Sequence, residues 1–338
     1  MAYHLPAFAL LFCCLHALQL NAQYDDLMRN PKVSWVAEYK TEFELNPEYS
    51  NVLDTEYNLV ELIRLSNVNQ TNGLFADAGL NYSFYFSQRI YSGLAAGQFQ
   101  CFADEALLQP LPAEQVKERL HRLDTALADE AKFKALLTFR VRQVFFYNQS
   151  DRQFGARLLA IAPVVYAPDA EGAWYHQGPL LWIKVPEYDK KQRRMIRQNA
   201  AYVWQTRMKA NAPRPEDLSV KKGQLGFRQW ARLEAQSPSH RCLAYDTYQP
   251  LDRAALQALI FTTGIPAQVN ADGVTPLQQP LRKDATEQVV RLRFVQHWYF
   301  DAQSAGLYCT LAAVAPLAAV RGADGEIRYE KPLFYVKY

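Results

Sequence analysis

The most constraining feature of the chain is a stretch of sequence that occurs twice. Residues 139–184 and 292–337 align without a gap at a constant offset of 153 residues. Because side chains alternate between the two faces of a strand, shifting the alignment by one residue would move every side chain to the opposite face of the sheet. The gapless match therefore predicts two similar sheets. The identical pairs include Arg140/Arg293, Gln143/Gln296, Leu158/Leu311, Ala160/Ala313, Ala162/Ala315, Pro163/Pro316, Gly172/Gly325, Pro179/Pro332, Leu180/Leu333 and Lys184/Lys337.

The first strand of each copy is predicted to turn one large, mostly aromatic face towards a core. An aromatic content of 13% favours strands in general, since such side chains pack well on a pleated surface. Period two places alternate residues of each strand on that common face. These residues are Phe139, Val141, Gln143, Phe145 and Tyr147 in the first copy, and Leu292, Phe294, Gln296, Trp298 and Phe300 in the second.

Two further strands complete an antiparallel meander in each copy. The second strand, near 158–165 or 311–318, contains a proline, and because proline donates no ladder hydrogen bond it predicts an edge strand or a bulge there. A glycine, Gly172 or Gly325, marks a connection that can take a positive φ. The third strand is predicted at 180–185 or 333–338.

A looser correspondence extends the repeat upstream. Residues 100–103 resemble 241–244, each with a cysteine, and a helix is predicted after both. Pro112 can begin the first helix and Asp252 can cap the second. Each unit is thus a strand, a helix and a three-stranded antiparallel meander, which makes the fold class α+β with two tandem repeats joined by a basic helical connector.

The segment between the copies is strongly basic. Residues 184–228 hold 12 Lys and Arg against four acidic residues, although the whole chain has a formal net charge of only +3. Asp189 is predicted to cap a helix that runs to about Met208 and ends before the Asn-Ala-Pro at 211–213. A solvated connector and a contact surface, with Arg193, Arg194 and Arg197, are both open interpretations.

The N-terminus reads as an export signal. Residues 5–20 carry no charged side chain, and Ala22 predicts cleavage before Gln23. A buried helix is the alternative, while the run is short for a membrane span. The predicted division is therefore 1–22 signal peptide, 23–185 first repeat with an N-terminal extension, 186–222 basic helical connector, and 223–338 second repeat. An exported chain is expected in the periplasm, without a transmembrane segment once the signal is removed. Nucleic acid is not an expected partner there. The expected partner of the basic segment is therefore an acidic protein or an anionic lipid.

No catalytic, cofactor-binding or metal-binding motif is present in the sequence, and none of these sites is predicted. The three mature cysteines, Cys101, Cys242 and Cys309, are an odd number without C-x-x-C spacing, and are interpreted as small buried hydrophobes. His240 and Cys242 share a strand face, yet two ligands do not make a metal site.

Glu105 and Asp246 hold similar places in the two copies. They would suit acid–base chemistry only if the copies brought them within about 5–10 Å of each other. A duplicated loop carboxylate is the simpler interpretation.

The segment His297–Asp301 has large side chains on both faces of a predicted strand. Trp298 and Phe300 are expected in the core, whereas His297 and Tyr299 point to the other face, as do their counterparts Val144 and Phe146 in the first copy. That second face is unusually aromatic for an exposed sheet surface. It predicts that a helix or a partner covers it.

The sequences of these strands resemble those of the GldN/PorN family. The resemblance rests on 297–301, 311–316 and 332–336 in the second copy, and on 158–163, 179–183, 186–188 and 211–218 in the first. It implies a periplasmic component of the gliding-motility and type IX secretion machinery of Bacteroidetes, here as a tandem duplication. It further implies a non-enzymatic scaffold that assembles into rings with an outer-membrane lipoprotein, so that machinery proteins and further copies of the chain are the expected partners.

The alternative is an exported ligand-binding protein or hydrolase with a site between the repeats. That alternative requires a deep pocket at the repeat interface with convergent polar groups and at least one strongly shifted pKa.

Overall fold

The computed structural model describes residues 24–44, 59–62, 78–126, 138–168, 174–200, 202–210, 218–263, 268–269, 284–301, 303–322 and 324–338. The predicted signal peptide and the turn at Gly172 lie outside these ranges. Helices and antiparallel sheets are both present, which confirms the α+β class. Within the described ranges, no helix has both the length and the apolar character that a membrane crossing needs.

The helices lie between groups of strands. They are α1 (Asp25–Arg29), α2 (Ala78–Ala95), α3 (Ala113–Ala126), α4 (Lys190–Asn199), α5 (Phe227–Gln236) and α6 (Arg253–Gln257), which a π-helical turn (Ala258–Thr263) extends. A 3-10 turn (Ala285–Gln288) precedes the last group of strands. The predicted cap Asp252 accepts a hydrogen bond from the Ala255 N–H at 2.7 Å, so α6 begins where the sequence indicates.

The strands form two sheets. The first contains β1 (Val33–Glu44), β3 (Cys101–Phe102), β4 (Thr138–Asn148), β5 (Gln153–Pro168), β6 (Trp174–Pro179), β7 (Trp182–Lys184) and β9 (Leu218–Lys222). The second contains β2 (Leu59–Leu62), β8 (Tyr202–Ala210), β10 (Arg241–Ala244), β11 (Pro250–Leu251), β12 (Gln268–Val269), β13 (Val289–Asp301), β14 (Gly306–Gly322), β15 (Ile327–Pro332) and β16 (Phe334–Lys337).

The two sheets pair their strands in the same register at the offset of 153. Phe139 lies opposite Pro163 across β4 and β5, as Leu292 lies opposite Pro316 across β13 and β14. Both pairs of strands also shift register at the same point, where Leu159 or Ala312 is the extra residue of a bulge. A bulge exchanges the faces of the residues that follow it.

Of the two alternatives predicted for the proline-containing strand, the edge position is wrong, whereas a bulge is present in both copies. Both β5 and β14 lie inside their sheets, and the bulge comes four residues before the proline. The carbonyl of Pro163 accepts a hydrogen bond from the Leu180 N–H, in the break between β6 and β7. Proline is tolerated inside the sheet because its missing donor faces this break rather than a continuous strand. The third strand is accordingly two short strands, β6 with β7 and β15 with β16.

The basic connector is not helical to Met208. Helix α4 ends at Asn199, and Tyr202–Ala210 is strand β8, which pairs with β13. The Tyr-Val-Trp sequence at 202–204 favours a strand, and pairing with a neighbouring sheet outweighs the helix propensity of this segment. After β8, strand β9 pairs with β1 of the first sheet.

The inner faces of the two sheets pack against each other in one core. The Phe145 and Phe294 rings stack with centroids 4.2 Å apart. Beside them, the Gln296 Nε2 donates a 2.8 Å hydrogen bond to the Gln143 Oε1, and both amides are fully buried. All ten residues predicted for the inward face are buried, which confirms the predicted phase of both strands.

The three described cysteines are free and buried, as the sequence predicts. Burial raises the pKa of Cys101 to about 11 and the pKa of Cys242 and Cys309 to about 12. Thiols with such pKa values remain protonated at neutral pH and behave as small apolar side chains.

Candidate functional site

Helix α4 docks on the outer face of the second sheet. Asp189 and Gln192 form a capping box, in which the Asp189 carboxylate accepts from the Gln192 N–H and the Gln192 side chain accepts from the Asp189 N–H. Ile196 is the buried residue of the helix and contacts Gly306 on β14. A Cβ at Gly306 would come within 2.8 Å of the Ile196 Cγ1, so glycine at this position allows the close approach.

A groove of about 570 Å³ runs between this helix and the sheet. Its residues, called the basic groove below, are Lys190, Arg193, Arg194, Arg197, Gln198, Tyr299 and Tyr308. The four cations follow i, i+3, i+4, i+7 spacing, which places them on one face of α4. They are exposed, and within the described part of the chain none of them forms an ion pair with a carboxylate.

Two tyrosines of β13 and β14 form the floor of the groove. The rings of Tyr299 and Tyr308 stack 6.4 Å apart, and the Arg197 guanidinium lies over Tyr299 at 5.4 Å from the centroid. Arg193 lines the groove together with Tyr308, and its Nε donates a 3.4 Å hydrogen bond to the backbone carbonyl of Asp189. Burial raises the pKa of Tyr308, an effect that Arg193 and Arg197 partly oppose. The Tyr308 hydroxyl therefore stays protonated at neutral pH.

His297 adds no fixed charge to this face. Burial lowers its pKa, and the nearby cations Lys337 and Arg197 lower it further. The imidazole is accordingly neutral at pH 7, since its ordinary pKa is already about 6.5. The positive charge of the surface comes from the Lys and Arg side chains of α4 and from Lys337.

The prediction that the aromatic outer face is covered is confirmed in both sheets. In the second sheet the cover is α4. In the first sheet it is α1, where Tyr24 and Leu27 pack with Val144 and the half-buried Phe146. A short preceding helix thus lies over part of the aromatic face in each case.

The charges on the outer face of the first sheet are paired. The Arg142 Nη2 lies 2.6 Å from the Glu38 Oε1, with both side chains almost fully buried. The Tyr24 hydroxyl donates to the other Glu38 oxygen at 3.1 Å. At the position equivalent to Arg142 the second sheet has Val295. This contrast singles out the basic groove, whose cations lack such internal carboxylate partners among the described residues.

The other sequence candidates do not form a catalytic arrangement. Glu105 pairs with Lys40, and Asp246 accepts a hydrogen bond from the Thr247 N–H; neither lines the two grooves described here. His240 contacts Ser239 and the Tyr338 ring. In the described ranges no three His, Cys, Asp or Glu side chains lie close enough together to hold a metal ion.

A second groove, of about 880 Å³, lies between the two copies. It is mostly apolar, and its Arg157 is held by Asp26 at 2.6 Å and by Glu187 at 3.3 Å. Ser304 on its rim donates to Asp301 at 2.6 Å. Its described lining residues include no histidine or cysteine, so they supply no nucleophile–imidazole pair.

Sequence reasoning identified the three arginines of α4 and Tyr299 but missed Lys190, Gln198 and Tyr308. Tyr308 lies directly opposite Tyr299 across the hairpin of β13 and β14. Counting outward from the turn between the two strands would have placed these two rings side by side. No pattern in the sequence predicts that α4 forms the other side of this groove.

Comparison with known proteins gives one family. The family model described as "Gliding motility associated protein GldN" matches residues 70–214 and 246–338, which together make up more than half of the chain. The first matched segment includes α4 and the second includes β13 and β14. The curated proteins contain no sequence match.

Proposed function

The chain belongs to the GldN family of gliding-motility and type IX secretion components, and from this premise we propose that it is a non-enzymatic structural component of that machinery in the periplasm. The basic groove is the observation that carries the proposal. Exposed arginines over an aromatic floor are typical of protein contact surfaces, which are enriched in Arg and Tyr. The machinery proteins, including an outer-membrane lipoprotein and further copies of this chain, are the proposed partners.

The proposed architecture is two copies of one unit. The order α1, β1, β2, α2 before the first cysteine strand is repeated as α4, β8, β9, α5 before the second. Non-glycine residues with positive φ also recur in pairs, Leu107 with Tyr248 and Arg152 with Ala305. Residues 186–222 therefore serve as the beginning of the second unit rather than as a connector between units.

Charge reversal on α4 tests the proposal. We expect R193E/R194E/R197E to abolish recovery of machinery proteins with the tagged full-length chain from a membrane fraction. The fold should survive, because these side chains are exposed. Machinery recovery measured by quantitative mass spectrometry, with circular dichroism as the check on folding, gives the readout.

The matched control reverses three exposed cations elsewhere, as K191E/R241E/R253E. It changes the net charge equally and should leave recovery unchanged. A wild-type chain recovered alone as a soluble monomer, or intact machinery recovery with the α4 variant, would contradict the proposal.

A further inference from the structure

We propose that the basic groove binds an extended acidic segment of a partner protein, with carboxylates at every second position. This inference rests on the proposed function, because it specifies the chemistry of the partner at the same surface. The sequence left an acidic protein and an anionic lipid as alternatives. The geometry of the groove favours the protein segment.

The length of the cation stripe sets the spacing of the ligand. From Lys190 to Arg197 the helix advances seven residues, or about 10 Å at 1.5 Å per residue. In an extended segment, alternate side chains share one face and are about 6.6–6.8 Å apart. Two or three carboxylates at alternate positions therefore cover the stripe, whereas adjacent carboxylates would point to opposite sides.

The floor of the groove suits a polypeptide. The stacked rings of Tyr299 and Tyr308 offer an apolar surface for the backbone and methylene groups of a segment lying beside the helix. Because the pKa of Tyr308 is raised by burial, its hydroxyl stays protonated at pH 7 and does not repel carboxylates. Arg197 is already oriented by its contact with the Tyr299 ring, and Arg193 by its hydrogen bond to the Asp189 carbonyl, which lowers the entropy cost of binding.

A bilayer fits the same surface poorly. Helices that bind membranes bury an apolar face among the lipids. On α4 the apolar Ile196 is instead turned into the protein, and Met195 is the other large apolar residue of the helix. The cations line a concave groove, into which a chain can enter but a flat bilayer surface cannot.

Two isomeric peptides test the inference. Both contain three Glu and three Thr, in the orders Thr-Glu-Thr-Glu-Thr-Glu and Thr-Glu-Glu-Glu-Thr-Thr, with blocked ends and a fluorophore. Binding to the full-length chain is measured by fluorescence anisotropy at low ionic strength. We expect the alternating peptide to bind about threefold more tightly, since one more carboxylate reaches a cation, and its affinity to fall with added salt.

Neutral variants identify the surface. R193Q/R194Q/R197Q should weaken binding of the alternating peptide by about tenfold or more, because three charge pairs are lost. The control K191Q/R241Q/R253Q removes the same charge from exposed positions outside the groove and should change the affinity by less than about twofold. Equal affinity for the two peptides, or equal losses in the two variants, would overturn the inference.

Binding of the full-length chain to vesicles of phosphatidylglycerol and phosphatidylcholine in equal parts tests the anionic-lipid alternative. Vesicle binding that depends on the α4 arginines, without peptide binding, would overturn the inference in favour of a membrane contact. If the α4 variant loses machinery proteins but the wild-type chain binds no acidic peptide, this inference fails and the proposed function stands. Peptide binding with unaffected machinery recovery would instead contradict the proposed function.

Discussion

At the scale of single residues, the two buried glutamines are the most unusual feature of the core. The Gln296 Nε2 donates to Gln143, but the Gln296 Oε1 is buried without a hydrogen-bond partner among the described groups. An unpaired buried acceptor is costly, whereas replacing both members of a buried polar pair with apolar groups can be nearly neutral. The amide pair therefore contributes more to register between the sheets than to net stability.

This asymmetry gives a prediction for a double-mutant cycle. We expect Gln143→Leu and Gln296→Leu each to lower the free energy of unfolding by about 1–3 kcal/mol, because each removes the buried hydrogen bond between the two amides. The double variant should lose less than the sum of the two. Urea denaturation of the four proteins measures the coupling.

The exposed Gln224 provides the control, since Gln224→Leu should change stability by less than about 0.5 kcal/mol. Additive losses in the double variant would show that the two amides do not act as a pair.

At the scale of elements, α4 depends on one apolar anchor. Ile196 is buried against the sheet, while the neighbouring Met195 is 49% exposed. The capping box fixes where the helix begins, but docking requires the side chain that contacts Gly306. The position of the four cations over the tyrosines therefore depends on packing as well as on charge.

We expect Ile196→Ala to weaken binding of the alternating acidic peptide although every charge remains. Removing a buried Ile side chain costs about 2–5 kcal/mol and frees the helix from the sheet. Peptide anisotropy and hydrogen exchange of the α4 amides are the measurements. Met195→Ala is the matched control and should leave both unchanged; unaltered peptide affinity in Ile196→Ala would mean that docking of α4 is not required.

At the scale of the whole molecule, the two halves exchange strands. Strand β9 of the second half pairs with β1 of the first, and β2 of the first half pairs with β8 of the second. The two pairings between the halves have corresponding registers. Val220 of β9 lies opposite Ala37 of β1, and Leu62 of β2 lies opposite Trp204 of β8. Each sheet is thus completed by the other half of the chain, in addition to the shared core.

This exchange predicts a single cooperative unfolding transition. Neither half can lose its sheet without removing a strand from the other, so the halves should not unfold separately. Tryptophan fluorescence and far-UV circular dichroism should give coincident urea curves. The isolated segment 23–185, which lacks β9, should be unstable as a monomer; two resolved transitions, or a stable monomeric segment, would contradict the prediction.

Much of this molecule followed from the sequence by itself, because the relevant signals are local. Period two defined the inward faces of β4 and β13, side-chain caps marked the starts of α4 and α6, and an aromatic outer face indicated a cover. Only the tertiary structure decided that 202–210 is a strand, that β9 crosses to the first sheet, and that Lys190 and Tyr308 line the same groove. These features depend on contacts between residues far apart in the chain, which no local pattern of side chains encodes.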